Sequence, residues 1–109
     1  MSEVFDVAPF AKTLATIDKS SDIPAVPALQ KPSLLTVLYT PRDLDKQQPH
    51  TTDEVYIVAS GSAVLEVDGE QRRLGTGDAA FVAAQAQHHF ASISKDFAVW
   101  AVFPVPVKS

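Results

Sequence analysis

Residues 49–61 read PHTTDEVYIVASG. The apolar run that starts at Glu54 predicts a β-strand, because β-branched and aromatic residues fill it and Ser60-Gly61 closes it with a turn signal. Side chains alternate along a strand, so an extended chain would place one set of residues on a common face: Gln48, His50, Thr52, Glu54 and Tyr56. The opposite face would carry the apolar set Val55, Ile57 and Ala59.

Short apolar runs separated by turns continue on both sides of this stretch. Asp68-Gly69 divides two of them and is the strongest short signal for a β-hairpin. The predicted strands are 33–39, 54–59, 63–67, 70–74, 79–83 and 97–103. Strands of this length, with turns about every ten residues, predict an all-β sandwich or barrel.

The N-terminal residues 1–32 have a different pattern and are predicted to form an arm that packs on a barrel of residues 33–109. Phe10, Leu14 and Ile17 follow Pro9 at helical spacing, which predicts a short helix over about residues 8–17. Prolines at 24, 27 and 32 then interrupt an apolar stretch, as is typical of an edge strand or an extended arm.

Composition narrows the function classes. Hydrophobic residues make up 46% of the 109-residue chain and charged residues 20%, the balance of one globular domain. The net charge of −4 and the scattered basic residues argue against nucleic acid as a partner. The absence of cysteine excludes disulfides, thiolate catalysis and cysteine-ligated zinc. No signal peptide and no apolar run of about 20 residues are found, so no membrane partner and a cytoplasmic location are expected.

The three histidines all lie beside predicted strands and suggest a metal site. His50 and Glu54 are four residues apart, and His88 would come from a distant strand. Two imidazoles and a carboxylate suit a divalent ion and leave positions open for water or substrate. Alternatively, such histidines are surface residues or hydrogen-bonded core residues, and spacing alone leaves both interpretations open. A carboxylate facing the interior at Glu54 is costly unless it is paired or bound to a cation.

These residues resemble the cupin family, whose first motif runs G-x5-H-x-H-x3–4-E-x6-G and whose second runs G-x5-P-x-G-x2-H-x3-N. The run His50-x3-Glu54-x6-Gly61 matches the later part of the first motif. Gly77 and His88 have the glycine-to-histidine spacing of the second motif. The resemblance covers about residues 33–103 and implies a double-stranded β-helix, a jelly-roll barrel of six to eight antiparallel strands.

The departures from the two motifs fall at one metal ligand and at several turns. Gln48 stands where the first motif has its first histidine, and Arg42 replaces the opening glycine. Ala83, Gln85 and Ser92 replace the proline, glycine and asparagine of the second motif. The resemblance therefore implies a metal set of His50, Glu54 and His88, with Gln48 as either a fourth ligand or a pocket residue. His89 has the opposite parity to His88 and is expected to be a bystander.

The resemblance implies one divalent metal ion, either zinc, nickel, iron or manganese, at the mouth of the barrel. A small, oxygen-rich, anionic and chelating molecule is the expected ligand, with Tyr39 and Tyr56 as candidate substrate contacts. Three functions stay open: a metal-dependent enzyme (an isomerase, a lyase or a dioxygenase), a non-catalytic binding or sensing module, and a structural metal protein. The apolar outward face of the Glu54 strand, together with the proline-rich arm, predicts a homodimer.

Overall fold

Two antiparallel β-sheets face each other in the computed structural model, which describes residues 4–42 and 49–104. The five-stranded sheet has the order β1-β2-β8-β3-β6 and the three-stranded sheet the order β5-β4-β7. The elements are α1 (Phe10–Ala15), β1 (Ala25–Lys31), β2 (Leu34–Tyr39), β3 (Glu54–Ser60), β4 (Ser62–Val67), β5 (Glu70–Gly75), β6 (Ala79–Val82), β7 (His88–Ala91) and β8 (Ala98–Pro104). This arrangement confirms the predicted all-β jelly-roll barrel.

The hairpin between β4 and β5 turns at Asp68-Gly69, as predicted. Both residues have positive φ, +48° and +88°, which is the backbone of a type I′ turn. The turn sets the register in which Val67 pairs with Glu70 and Ser62 pairs with Gly75. The backbone at Gly61 passes close to the side chain of Ser94. A Cβ atom at this position would clash with Ser94 Oγ, so only glycine fits there.

The main core lies between the sheets and is built from alternate residues of each strand. Tyr56 and Val58 of β3, Leu65 of β4, Phe90 of β7 and Val99 of β8 are buried in it. Two buried polar residues, Glu54 and His88, begin strands β3 and β7 and lie at the end of this apolar core, where the strands hold them in place.

A second, smaller core lies on the outer side of the five-stranded sheet. Helix α1 packs there, with Phe10 edge-on to Trp100 at 6.3 Å between ring centroids and Leu14 beside Leu38. The helix is shorter than predicted. In the described ranges, no helix is long and apolar enough to span a membrane.

Residues 25–31 adopt the first of the two predicted alternatives and form the edge strand β1. Its pairing with β2 is irregular between Pro27 and Leu29, where a proline offers no N–H to the ladder. The division of the chain at residue 32 stays a prediction. Strand β1, which precedes that residue, is an edge strand of the five-stranded sheet.

Candidate metal centre

Three side chains, one from each sheet and one from the segment before β3, meet at one end of the barrel. Glu54 is the first residue of β3 and points inward, with 1% of its surface exposed. His88 is the first residue of β7 in the facing sheet and is also buried. His50 lies in the segment before β3 and is half-buried.

The segment that carries His50 is bent, not extended. Residues 51–52 form a bend, so the period-two argument does not hold upstream of Glu54. Two hydrogen bonds to the β6–β7 loop fix the segment instead: Gln85 N–H donates to His50 O at 2.7 Å, and Ala84 N–H donates to Asp53 Oδ1 at 2.9 Å. The imidazole of His50 then packs edge-on against Phe103 at 5.1 Å between ring centroids.

The donor atoms of the three side chains have the spacing of a metal site. Glu54 Oε1 lies 3.4 Å from His88 Nε2 and 3.6 Å from His50 Nε2. One ligand atom from each side chain lies within 4.8 Å of the others. Ligands about 2.1 Å from a tetrahedral ion are about 3.4 Å apart, so the geometry fits a divalent ion with little adjustment.

The tautomer of His88 is fixed by the chain itself. Its Nδ1 lies 2.9 Å from Ala86 O, and a carbonyl oxygen can only accept, so Nδ1 carries the proton. Nε2 therefore faces Glu54 with its lone pair when the ring is neutral. A backbone carbonyl that orients a histidine in this way is typical of metal-ligating imidazoles.

Glu54 supplies the strongest test of whether a cation fits. Its Oε1 is fully buried and accepts no hydrogen bond from any described residue. Burying a carboxylate oxygen without a hydrogen bond is costly, and a bound cation removes that cost. The donor set, two imidazoles and one carboxylate, accordingly suits the group that the resemblance implies.

A cavity of about 300 Å³ opens beside these residues. His50 and Glu54 form its polar end, and the rest of its wall is mainly apolar: Ile23, Ala25, Val37, Tyr39, Pro49, Ala101 and Phe103. Its volume is at the lower end of the range for small-molecule sites. The site thus has room for a small ligand next to the donor atoms.

The two candidate substrate contacts have different positions. Tyr39 lines the cavity, whereas Tyr56 is fully buried behind the site, with its ring 6.1 Å from that of His88 and 4.8 Å from that of Phe90. Both roles stay predictions. Gln48 falls outside the described residues, so its role as a ligand also stays a prediction.

His89 lies on the other side of β7, where its Nε2 is 3.9 Å from Glu66 Oε1 and its side chain is 46% exposed. Sequence reasoning missed strand β7 itself and the part that Phe103 plays in the wall. In the sequence, residues 88–91 read HHFA, with one large apolar residue, and four residues are too few to establish a period.

Comparison with known proteins bears on the family and the fold of the chain. Residues 35–104 match the family model described as the cupin domain. An uncharacterized protein of Streptomyces coelicolor is 42% identical over 62 residues, which are 57% of this chain and 59% of that protein. The chain therefore aligns with less than two-thirds of that curated relative.

Two solved structures have the same fold and 25% sequence identity. TT1209 from Thermus thermophilus superposes with a TM-score of 0.74 over 94% of this chain and 100% of that one. KdgF from a Halomonas species superposes with a TM-score of 0.69 over 80% of this chain and 83% of that one.

Proposed function

Because the chain belongs to the cupin family, we propose that it holds one divalent metal ion and binds a small, oxygen-rich, anionic molecule at the barrel mouth. The observation that carries the proposal is the buried Glu54 Oε1, which lies within 3.6 Å of two imidazole nitrogens and beside an open cavity. A structural metal site would be closed by protein ligands, and the adjoining cavity argues against that alternative.

His50, Glu54 and His88 would hold the ion, and zinc, nickel, iron and manganese are all compatible with this donor set. A divalent ion would supply a Lewis acid, and with one carboxylate among its ligands the site has a formal charge of about +1. That charge favours an anion with two oxygens at chelating distance. Gln48 is proposed as a further oxygen donor or as a residue of the cavity wall.

The chain's own residues give the cavity two further properties. Its apolar wall, with Phe103 against His50, lowers the local dielectric constant beside the donor atoms and so strengthens electrostatic attraction to an anion. Tyr39 lines the cavity and is proposed to contact the ligand through its phenol group. Tyr56 packs against His88 from behind and is proposed to hold that ring in place.

Catalysis and simple binding differ in what they require of Tyr39. Among the described lining residues other than His50 and Glu54, Tyr39 alone carries a side-chain proton that can be transferred. An isomerase or a lyase needs such a group near the ligand, whereas a binding module does not. Turnover of a chelating substrate that falls in Tyr39→Phe, with binding retained, would favour an enzyme.

Metal analysis combined with an anion series tests the proposal. Protein purified without an affinity tag and loaded with zinc should retain about one ion per chain, and His50→Ala/His88→Ala should retain none. Calorimetry should then show that malonate, which chelates, binds the zinc-loaded protein more tightly than acetate. A chain that retains no ion, or that binds malonate equally well without metal, would refute the proposal.

We also propose that the protein is a homodimer. The outer face of β3 is apolar, and it pairs with equally apolar positions: Val55 lies opposite Phe81, and Ile57 lies opposite Trp100. Helix α1 covers Trp100 but leaves Ile57 40% exposed and Phe81 63% exposed. A contiguous apolar patch of this kind is typical of a protein–protein contact.

A further inference from the structure

A second cavity lies away from the candidate metal centre. It has a volume of about 570 Å³ and is bounded by helix α1, the end of β2 and the loop between β7 and β8. Strand β3 connects the two ends of the barrel, with Glu54 at the metal centre and Ser60 at this cavity. Six residue steps of a strand span about 20 Å, so the two sites are separate.

This cavity has an apolar floor and a cationic rim. Phe10 and Leu14 of α1 and Ile93 and Phe97 of the β7–β8 loop supply apolar surface. Three exposed cations also line it, Lys19, Arg42 and Lys95. None of the three forms an ion pair with a described residue. They are three of the nine lysines and arginines of a chain whose net charge is −4.

The one carboxylate among the described lining residues, Asp96, offsets only one of these three positive charges. Asp96 Oδ1 accepts a hydrogen bond from Ser94 Oγ at 2.8 Å and lies against Gly61, where a Cβ atom would be 2.7 Å away. Ser60 Oγ donates to Asp96 O at 2.5 Å and holds the same loop. With Asp96 fixed in this position, the lining carries a net charge of +2 from its four charged side chains.

From these observations we propose that the cavity binds an organic anion that has an apolar body, such as an aromatic carboxylate or phosphate ester. The apolar floor would take the body, and the three cations would take the anionic group. Cations of one sign around a cleft with low-dielectric walls raise the local concentration of anions. The proposal does not depend on the metal centre or on its ligand.

Three naphthalene probes of the same size separate the two contributions. 2-Naphthyl phosphate and 2-naphthoate should bind, whereas 2-naphthol, which lacks the charge, should bind at least about tenfold more weakly. Inorganic phosphate, which lacks the apolar body, should compete poorly. Fluorescence titration at low salt measures all four, and the affinity for the anions should fall as salt is added.

A matched pair of double variants assigns the binding to this cavity. Arg42→Gln/Lys95→Gln should weaken binding of 2-naphthyl phosphate by about tenfold, since each exposed ion pair contributes only a few-fold. Lys12→Gln/Arg73→Gln removes the same net charge from exposed residues outside the cavity and should change the affinity less than twofold. All four substitutions are at exposed positions, so melting curves should confirm that both variants fold.

Amide chemical shifts then locate the probe. On adding 2-naphthyl phosphate, the amide chemical shifts of Ser94–Ala98 should change, and those around His50 and Ala101 should not. The proposal is overturned by the absence of binding at millimolar probe, by equal losses in the two double variants, or by shifts confined to the metal-site cavity.

Discussion

Replacing Glu54 by glutamine should make the protein more stable than the native protein when metal is absent, and less stable than the native protein when metal is bound. Glu54 Oε1 is buried and accepts no hydrogen bond from the described residues, so in the metal-free protein its charge is poorly solvated. A neutral amide of the same shape lowers that cost. In the metal-bound protein the same change removes the anionic ligand, and with it most of the binding free energy.

The expected sizes follow from the length of the chain and the burial of the residue. Metal at a hundredfold excess over its dissociation constant stabilises the folded state by about 2.7 kcal/mol. At about 2.1 cal/mol/K per residue, a chain of 109 residues has an unfolding entropy near 0.23 kcal/mol/K, so metal should raise the native Tm by about 12 °C. Without metal, relief of the buried charge by about 1 kcal/mol should raise the Tm of Glu54→Gln about 4 °C above the native value.

Differential scanning fluorimetry at pH 8, with either chelator or excess zinc, measures both effects. Glu66→Gln is the matched control, because Glu66 also lies near a histidine but is partly exposed, with its Oε1 3.9 Å from His89 Nε2. This control should melt within about 2 °C of the native protein in both conditions. A variant Glu54→Gln that keeps the full zinc shift would show that Glu54 is not a ligand. A metal-free variant that melts well below the native protein would show that the buried charge is not costly.

Three further changes test other parts of the structure. Ile57→Lys should shift the native dimer toward monomer in sedimentation velocity, with Arg73→Gln, at an exposed position of the other sheet, as the control; a native protein that sediments as a monomer would contradict the homodimer. Gln85→Gly should raise the free energy of unfolding by about 0.5–1 kcal/mol in urea titrations. Glycine removes the cost of about 1–2 kcal/mol that a non-glycine residue has in the left-handed conformation, and the greater entropy of glycine in the unfolded chain cancels part of this gain. An unchanged midpoint would show that φ is not strained there. Gln48→His should tighten zinc or nickel binding with the fold retained, and an unchanged affinity in calorimetry would place residue 48 outside the metal's ligand set.

Most of the barrel could be predicted because its strands are bounded by strong turn signals. The strands on either side of Asp68-Gly69 were predicted to within one residue at each end, since the two positive-φ positions leave little freedom in register. Strand β7 could not be predicted, because four residues do not establish a period and His88-His89 has no preference for a strand. The contact of Phe103 with His50 joins residues far apart in sequence, and no local pattern indicates it.

His50, Glu54 and His88 meet in space as predicted, although the argument that placed His50 there holds only in part. His50 was assigned to the face of Glu54 by strand alternation, yet the chain bends at residues 51–52 and the alternation stops there. What brings His50 to Glu54 is the hydrogen bond from Gln85 N–H to His50 O, which ties the segment to the loop that leads into His88. Gln85 has φ of +68° where the cupin motif has glycine, so the chain keeps a left-handed backbone at this position without the residue that favours it. The loop conformation is therefore maintained by the contacts that hold His50 and His88 together, and Gln85→Gly should increase stability while the donor atoms stay in place.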